Sequence, residues 1–271
     1  MRGNEMTAAG STSPLPIGGS ISRGWQAFTR APWVFVGFNL LSFFLAFLTS
    51  YIQDFGSSLI DQSGIFSLFF LLLAIAGFCL GVAVLLWTQI GLFRGSWVAV
   101  SGRKPKWGDF IRWDFRATKR LFLTTLFLSV IWALVASTSI LSFLLFSMIS
   151  IEVGLLFILA GTLVWAYIST TQIFYLPITL AQGKGPINTF TTGRSKVDPQ
   201  FFIVLFFGLI IVSAYVIPLF LFSSGAYFNN PFVMILGLSI FIFMPWLSCT
   251  FVAAYQHLFG SDDRTGFLNS H

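Results

Sequence analysis

Apolar residues along this chain run in blocks too long for a soluble core helix and without the polar alternation of a half-buried strand. Five stretches carry no charged residue: 31–53, 62–93, 121–151, 153–183 and 199–261. A helix needs roughly 20 apolar residues to cross the hydrocarbon of a bilayer. The first four stretches each suffice for one crossing and the last for two. Ser223, Ser224 and Gly225, followed by Asn229, Asn230 and Pro231, mark the break inside it. The pattern predicts spans near 32–52, 65–93, 121–148, 152–180, 201–223 and 231–258. A membrane β-barrel would need short strands with one polar face, and these runs are apolar on all sides. The expected fold class is therefore all-α, an integral membrane six-helix bundle.

Between the blocks the pattern turns amphipathic. Trp107, Phe110, Ile111 and Phe115 recur at helical spacing, with Asp109, Arg112, Arg116, Lys119 and Arg120 mostly on the other face. One interfacial helix is expected to run through 107–120. Ahead of span 1, Ser20 is placed to cap a shorter one, with Ile21, Trp25 and Phe28 as its apolar edge and Arg23 and Arg30 as its polar edge. A third, over 187–197, has Ile187 and Phe190 as its apolar pair. Each segment precedes two spans, so the chain reads as a threefold repeat with a period of about 80 residues. Identities support it. Thr88-Gln89-Ile90 recurs as Thr171-Gln172-Ile173, Gly102-Arg103-Lys104-Pro105 recurs as Gly183-Lys184-Gly185-Pro186, and Phe110 recurs as Phe190. Trp246 and Thr250 answer Trp87 and Thr88.

Composition agrees with the pattern. Of 271 residues, 56% are apolar and 9% charged, against about 25% charged in a soluble domain. Charge adds an orientation. The 15 Lys and Arg residues all fall on one side of the expected spans, and the other side holds Asp54, Asp61 and Glu152. By the positive-inside rule the basic side, with both termini, is cytoplasmic. The expected location is a bacterial inner (plasma) membrane or another energy-transducing membrane. Residues 1–19 lack the apolar core of a signal peptide and read as a disordered cytoplasmic tail. The membrane domain follows over 20–260, and 261–271 form a second cytoplasmic tail. No soluble basic domain exists to bind nucleic acid. The expected partners are the bilayer and its anionic headgroups, met by Arg103, Lys104, Lys106, Arg112, Arg116, Lys119 and Arg120.

Candidate chemistry is sparse. No acidic or basic residue stands at mid-span depth, where proton relays and ion paths keep theirs; Arg94 is placed at the inner end of span 2. His257 and His271 are the two histidines, and Cys79 and Cys249 the two cysteines. They make no metal, haem or nucleophile–base constellation, so no catalytic residue, metal or cofactor is expected. Thr88, Gln89, Thr171, Gln172 and Thr250 form a polar intramembrane set, suited to lining a constriction or to bonding helices together. Gly77, Gly81, Gly91 and Gly95 stripe span 2 and permit close helix approach, within the chain or to a homodimer or other membrane partner. Pro177, Pro218 and Pro245 are expected to kink spans 4, 5 and 6.

Gly24-Trp25-Gln26-Ala27-Phe28 ahead of span 1, the small-residue turn over 183–186, and Tyr255-Gln256-His257-Leu258 closing span 6 resemble bacterial six-span inner-membrane proteins. These include the YciC-like family and the membrane domain attached to some glycerophosphodiester phosphodiesterases. The resemblance covers about residues 20–260 and implies the six-span fold. No phosphodiesterase domain stands in the sequence, so that activity is not implied, and the resemblance supplies no catalytic residues. The expected function is non-enzymatic: a membrane scaffold, assembly or membrane-homeostasis factor. The alternative is a permease or channel for a small neutral or lipid-like solute.

Overall fold

A computed structural model describes residues 14–60 and 64–266 of the chain. It is all-α, with no strand among the described residues. The helices in chain order are α1 (Ile17–Phe28), α2 (Pro32–Leu59), α3 (Ser67–Val100), α4 (Trp107–Ile111), α5 (Phe115–Ser147), α6 (Ile151–Thr171), α7 (Tyr175–Ala181), α8 (Pro186–Val197), α9 (Phe201–Tyr227), α10 (Pro231–Gly237) and α11 (Ile240–Phe259). Six segments are long and apolar enough to cross a membrane: α2, α3, α5, α6 with α7, α8 with α9, and α10 with α11. The all-α, six-span expectation is met; α1 precedes the first span, α4 lies between the second and third, and α8 forms the start of the fifth.

Within the expected membrane domain two compact units are distinguished. The first comprises residues 18–114 and 213–253; the second comprises 115–212 and 254–266 together with 14–17. Helices α9 and α11 pass from one unit to the other.

In the first unit, α2 and α3 form an antiparallel hairpin. A Cβ on Gly77 would sit 2.6 Å from the backbone N of Gln53, so this pairing depends on glycine. At 34 residues and about 1.5 Å per residue, α3 is far longer than the roughly 30 Å of hydrocarbon. Its surplus lies at the basic end, where Ile90 to Ala99 are all buried. Phe110 of α4 plugs this region. It is fully buried, 5.0 Å from Phe35 and 5.1 Å from Phe38 between ring centres. It occupies a notch where a Cβ on Gly91 would meet its carbonyl oxygen at 2.5 Å and one on Gly95 would overlap its ring. Trp87 Nε1 donates to the Ile111 carbonyl at 3.1 Å, and the Arg30 guanidinium donates to the Ala99 carbonyl in the last turn of α3.

The interfacial segments depart from expectation in an informative way. The segment 107–120 is not one helix. The Lys106 N–H is held by Asp109 Oδ2 at 2.8 Å to start α4, and Arg112 leaves it with extended backbone (ψ 121°). Phe115 to Arg120 are instead the first turns of α5. Ser20 is not a cap, because α1 already begins at Ile17, inside the expected tail; residues 1–13 lie outside the described ones. The buried face of α1 is Ser20, Gly24, Ala27 and Phe28, while Trp25 is half exposed and lies edge-on to Trp246 at 5.7 Å. The buried face of α8 is Thr189, Gly193 and Val197, and Ile187 is exposed. Both helices therefore present a small polar residue, a glycine and an apolar residue at four-residue steps. The cause is that they dock on protein. A Cβ on Gly24 would lie 2.5 Å from Thr250 Cα, and one on Gly193 would lie 2.7 Å from the Thr171 carbonyl oxygen.

In the second unit α5 pairs with α6, and α7 and α8 pack on their basic ends. The Thr179 hydroxyl bonds the Tyr175 carbonyl at 2.8 Å and sits 3.5 Å from Thr124 and 3.4 Å from Thr189, linking α5, α7 and α8. Span 4 is broken rather than kinked: α6 ends at Thr171 and α7 starts at Tyr175. Pro177 offers no N–H to the Ile173 carbonyl and its ring crowds that turn. Pro218 and Pro245 lie inside continuous helices, and span 6 is interrupted upstream of Pro245, between Gly237 and Ile240.

Candidate functional site: a cavity with a polar inner wall

The first unit encloses a cavity of about 600 Å³ between α2, α3, the second half of α9, and the α10–α11 junction. Ligand pockets commonly span about 300–1,000 Å³. Its α2 wall is polar: Asn39, Ser42, Thr49, Ser50 and Gln53 all line it. At 100° per residue these five positions fall within an arc of about 100° on the helix. Thr88 and Gln89 on α3 and Tyr215 on α9 complete the polar lining. The remaining walls are apolar, including Phe43, Phe78, Leu85, Leu238 and Phe241. No lining residue is Asp, Glu, Lys, Arg or His.

Burial varies along the lining. Asn39, Ser42 and Thr49 are buried, whereas Ser50, Gln53, Phe43, Phe78 and Leu85 are exposed. The cavity opens to the surface, and its mouth carries polar as well as apolar residues. Some of its hydroxyls are satisfied within their own helices: Thr49 Oγ1 donates to the Ala46 carbonyl at 2.9 Å and Thr88 Oγ1 to the Val84 carbonyl at 2.8 Å. Two polar atoms are not. Ser42 Oγ and Gln89 Oε1 are buried without a hydrogen-bond partner. In a low-dielectric interior an unpaired polar group costs several kcal/mol, of order ~2–7, so a partner there is strongly favoured.

The polar set expected from the repeat is distributed. Thr88 and Gln89 line this cavity. Thr250, in the same unit, lies against Gly24 and its hydroxyl has no partner. Thr171 and Gln172 belong to the second unit, at the break of span 4. There Gln172 Nε2 donates to the Phe190 carbonyl of α8 at 3.0 Å and Thr171 Oγ1 to the Ile168 carbonyl at 3.1 Å. The α2 stripe and Tyr215 were not expected. The helical spacing of polar residues through an otherwise apolar span is the signal by which the stripe could have been found.

The glycine face of α3 is filled from within the chain, Gly77 and Gly81 by α2, Gly91 by Phe38 and Phe110, and Gly95 by Phe110. Ser248 and Cys249 turn to Ser96, whose hydroxyl donates to Ser248 at 3.0 Å and accepts from the thiol at 3.5 Å. Arg94, expected at the inner end of span 2, lies in the last two turns of α3 and is 2% exposed. Among the basic residues expected to meet headgroups, Lys104, Lys106, Arg112, Arg116 and Lys119 are exposed and Arg103 and Arg120 half-buried; 103–112 belong to the first unit and 116–120 to the second. Among the described residues no group of three His, Cys, Asp or Glu is placed to hold a metal ion.

These features define a multi-pass α-helical membrane protein with an uncharged internal cavity. No protein-family model, curated protein or solved structure matches the chain, so the function is argued from this geometry.

Proposed function

We propose that the protein binds an uncharged amphiphile in the cavity of its first unit and acts as a carrier or permease for such a lipid-like solute. The observation that carries this reading is the pair of unpartnered polar atoms, Ser42 Oγ and Gln89 Oε1, on residues that line an otherwise largely apolar, uncharged cavity. Turned toward the cavity, the Gln89 amide oxygen accepts from a hydroxyl or amide of the ligand head, and the Ser42 hydroxyl can donate as well as accept. A hydrocarbon tail then lies against Phe78, Leu85 and Leu238. A charged head would meet no counter-charge there, and burying it would cost far more than the two hydrogen bonds return. This favours solute handling over a scaffold role. It leaves the protein in the expected setting, a bacterial inner membrane with cytoplasmic termini. Cysteines placed at Ser57 and Asn229 then react with an impermeant thiol reagent added outside intact cells.

The test uses the full-length protein in detergent with dioctanoylglycerol as probe. Gln89→Leu and Ser42→Ala each weaken binding about tenfold, the value of one hydrogen bond of ~1.4 kcal/mol. Each also raises the stability of the unliganded protein, because an unpaired buried polar group is removed. Lowered stability with unchanged binding would show that the polar wall only bonds helices together.

A further inference from the structure

A second site is built in the other unit, at the turn between α7 and α8, and it has the opposite chemistry. Gly183 takes the left-handed conformation (φ +67°) that ends α7. The C-terminal segment is tied to the same helix end: the Arg264 N–H donates to the Ala181 carbonyl at 2.9 Å and Thr265 Oγ1 to the Leu180 carbonyl at 3.1 Å. These bonds satisfy carbonyls that a helix terminus leaves open, and they bring Arg264 beside the turn. Arg120, from the first turns of α5, lies against it from another direction; a Cβ on Gly183 would be 3.7 Å from Arg120 Nη1. Lys184 follows in the turn, with its Nζ 2.6 Å from Thr192 Oγ1.

Three cations from separate parts of the chain thus converge on one backbone turn. No carboxylate among the described residues pairs with any of them. The neighbouring Asp263 carboxylate accepts from the Thr265 N–H at 3.2 Å and its hydroxyl at 2.9 Å. Arg120 Nε is buried and has no hydrogen-bond partner. Partial burial pushes the Lys184 ammonium below the ordinary lysine range, and the charge of Arg264 adds to the shift. The like charges are held near one another without a direct ion pair, although Asp262 and Asp263 precede Arg264 in the chain, as at a site that receives an anion.

We infer that Arg120, Lys184 and Arg264 form a binding site for a phosphate group, presented by an anionic lipid headgroup or by a soluble phosphate. A guanidinium offers the fork of donors that matches phosphate oxygens, and the ammonium supplies a point charge from the second side. The site is independent of the neutral cavity, and either can exist without the other.

Two arms distinguish the sources. Full-length protein in phosphatidylcholine nanodiscs is titrated with inorganic phosphate. In parallel, it is placed in nanodiscs in which about one fifth of the lipid is phosphatidylglycerol, an anionic phosphodiester, and bound lipid is counted by native mass spectrometry. Binding of phosphate identifies a soluble anion, and retention of phosphatidylglycerol alone identifies a headgroup. In the responding arm Arg120→Gln weakens binding about tenfold, and with Lys184→Gln about a hundredfold. Lys196→Gln, which removes an equal charge from the exposed far end of α8, changes it less than about twofold. Should Arg120→Gln fail to fold, Lys184→Gln and exposed Arg264→Gln carry the same test. Absence of binding in both arms, or an equal loss with Lys196→Gln, overturns the assignment.

Discussion

Replacing Gly24 by alanine tests whether α1 is docked on the protein or lies loosely at its edge. The added Cβ would stand 2.5 Å from Thr250 Cα and 2.6 Å from Thr250 N. Carbon atoms in good contact are about 3.5–4.0 Å apart, so α1 must retreat by about 1 Å. Both obstacles are backbone atoms, which no rotamer change can clear. A gap of that size forfeits a quarter to a half of each dispersion contact it opens, and Ala27 and Phe28, 1% and 4% exposed, lose theirs together. Overpacking of this kind costs about 1–3 kcal/mol, against a helix-propensity gain of up to ~1 kcal/mol for Gly to Ala. A net loss of about 1–2 kcal/mol is expected in equilibrium unfolding by SDS titration in mixed micelles. Gly18, in the same helix, has nothing within 4 Å of its own Cβ position, so Gly18→Ala is expected to be neutral or slightly stabilising. Thr250→Ala rescues Gly24→Ala only in part, since it removes the hydroxyl but leaves the backbone. Equal effects of the two alanines would refute the docked arrangement.

Gly193→Ala should repeat the result in the second unit, with a loss of about 1–3 kcal/mol, because its Cβ would meet the Thr171 carbonyl oxygen at 2.7 Å; unfolding followed in the same micelles checks it. Phe110→Ala empties a fully buried ring site between Phe35 and Phe38 and should cost about 3–5 kcal/mol, whereas Trp107→Ala, at a half-exposed position, should cost clearly less in the same assay. Lys184 has a lowered pKa in the folded protein, so the unfolded chain holds more protons there as pH rises from that lowered value toward the ordinary lysine value near ~10.4. Stability relative to Lys184→Gln therefore increases with pH across that window; a flat difference in a pH series of unfolding curves would contradict the burial of the ammonium.

The resemblance between α1 and α8 gives the repeat a physical meaning. Each lays a glycine over a threonine near the basic end of an even-numbered span, Gly24 on Thr250 and Gly193 on Thr171. At the remaining position α4 inverts the device: the large residue, Phe110, is on the short helix and the glycines, Gly91 and Gly95, are on the span. Close packing at these ends places the core there, while exposed apolar residues such as Leu71, Leu141 and Leu163 lie where hydrocarbon is the solvent.

What the sequence by itself determined is what the bilayer enforces locally. In hydrocarbon only a helix or a closed β-barrel satisfies the peptide groups, and a long uncharged run that is apolar on all sides lacks the alternation of a barrel strand, so it reads as a spanning helix. The number of spans and the one-sided placement of charge could therefore be read directly, and the Thr88–Gln89 and Thr171–Gln172 pairs could be marked as polar positions. Only the tertiary structure decided what those positions face. Tryptophan and isoleucine mark a helix as amphipathic, but the side that docks on protein is the one that fits closest, so α1 buries Ser20, Gly24, Ala27 and Phe28 and leaves Trp25 half exposed. The stripe from Asn39 to Gln53 reads the same along the chain whether it meets a neighbouring helix or a void. It becomes a site because α9 and the α10–α11 junction stand off from it, leaving a cavity lined by Ser42 and Gln89, each with a buried unpartnered atom. Hydrogen-bond satisfaction depends on the atoms opposite, and which atoms lie opposite is a property of the fold rather than of any one segment.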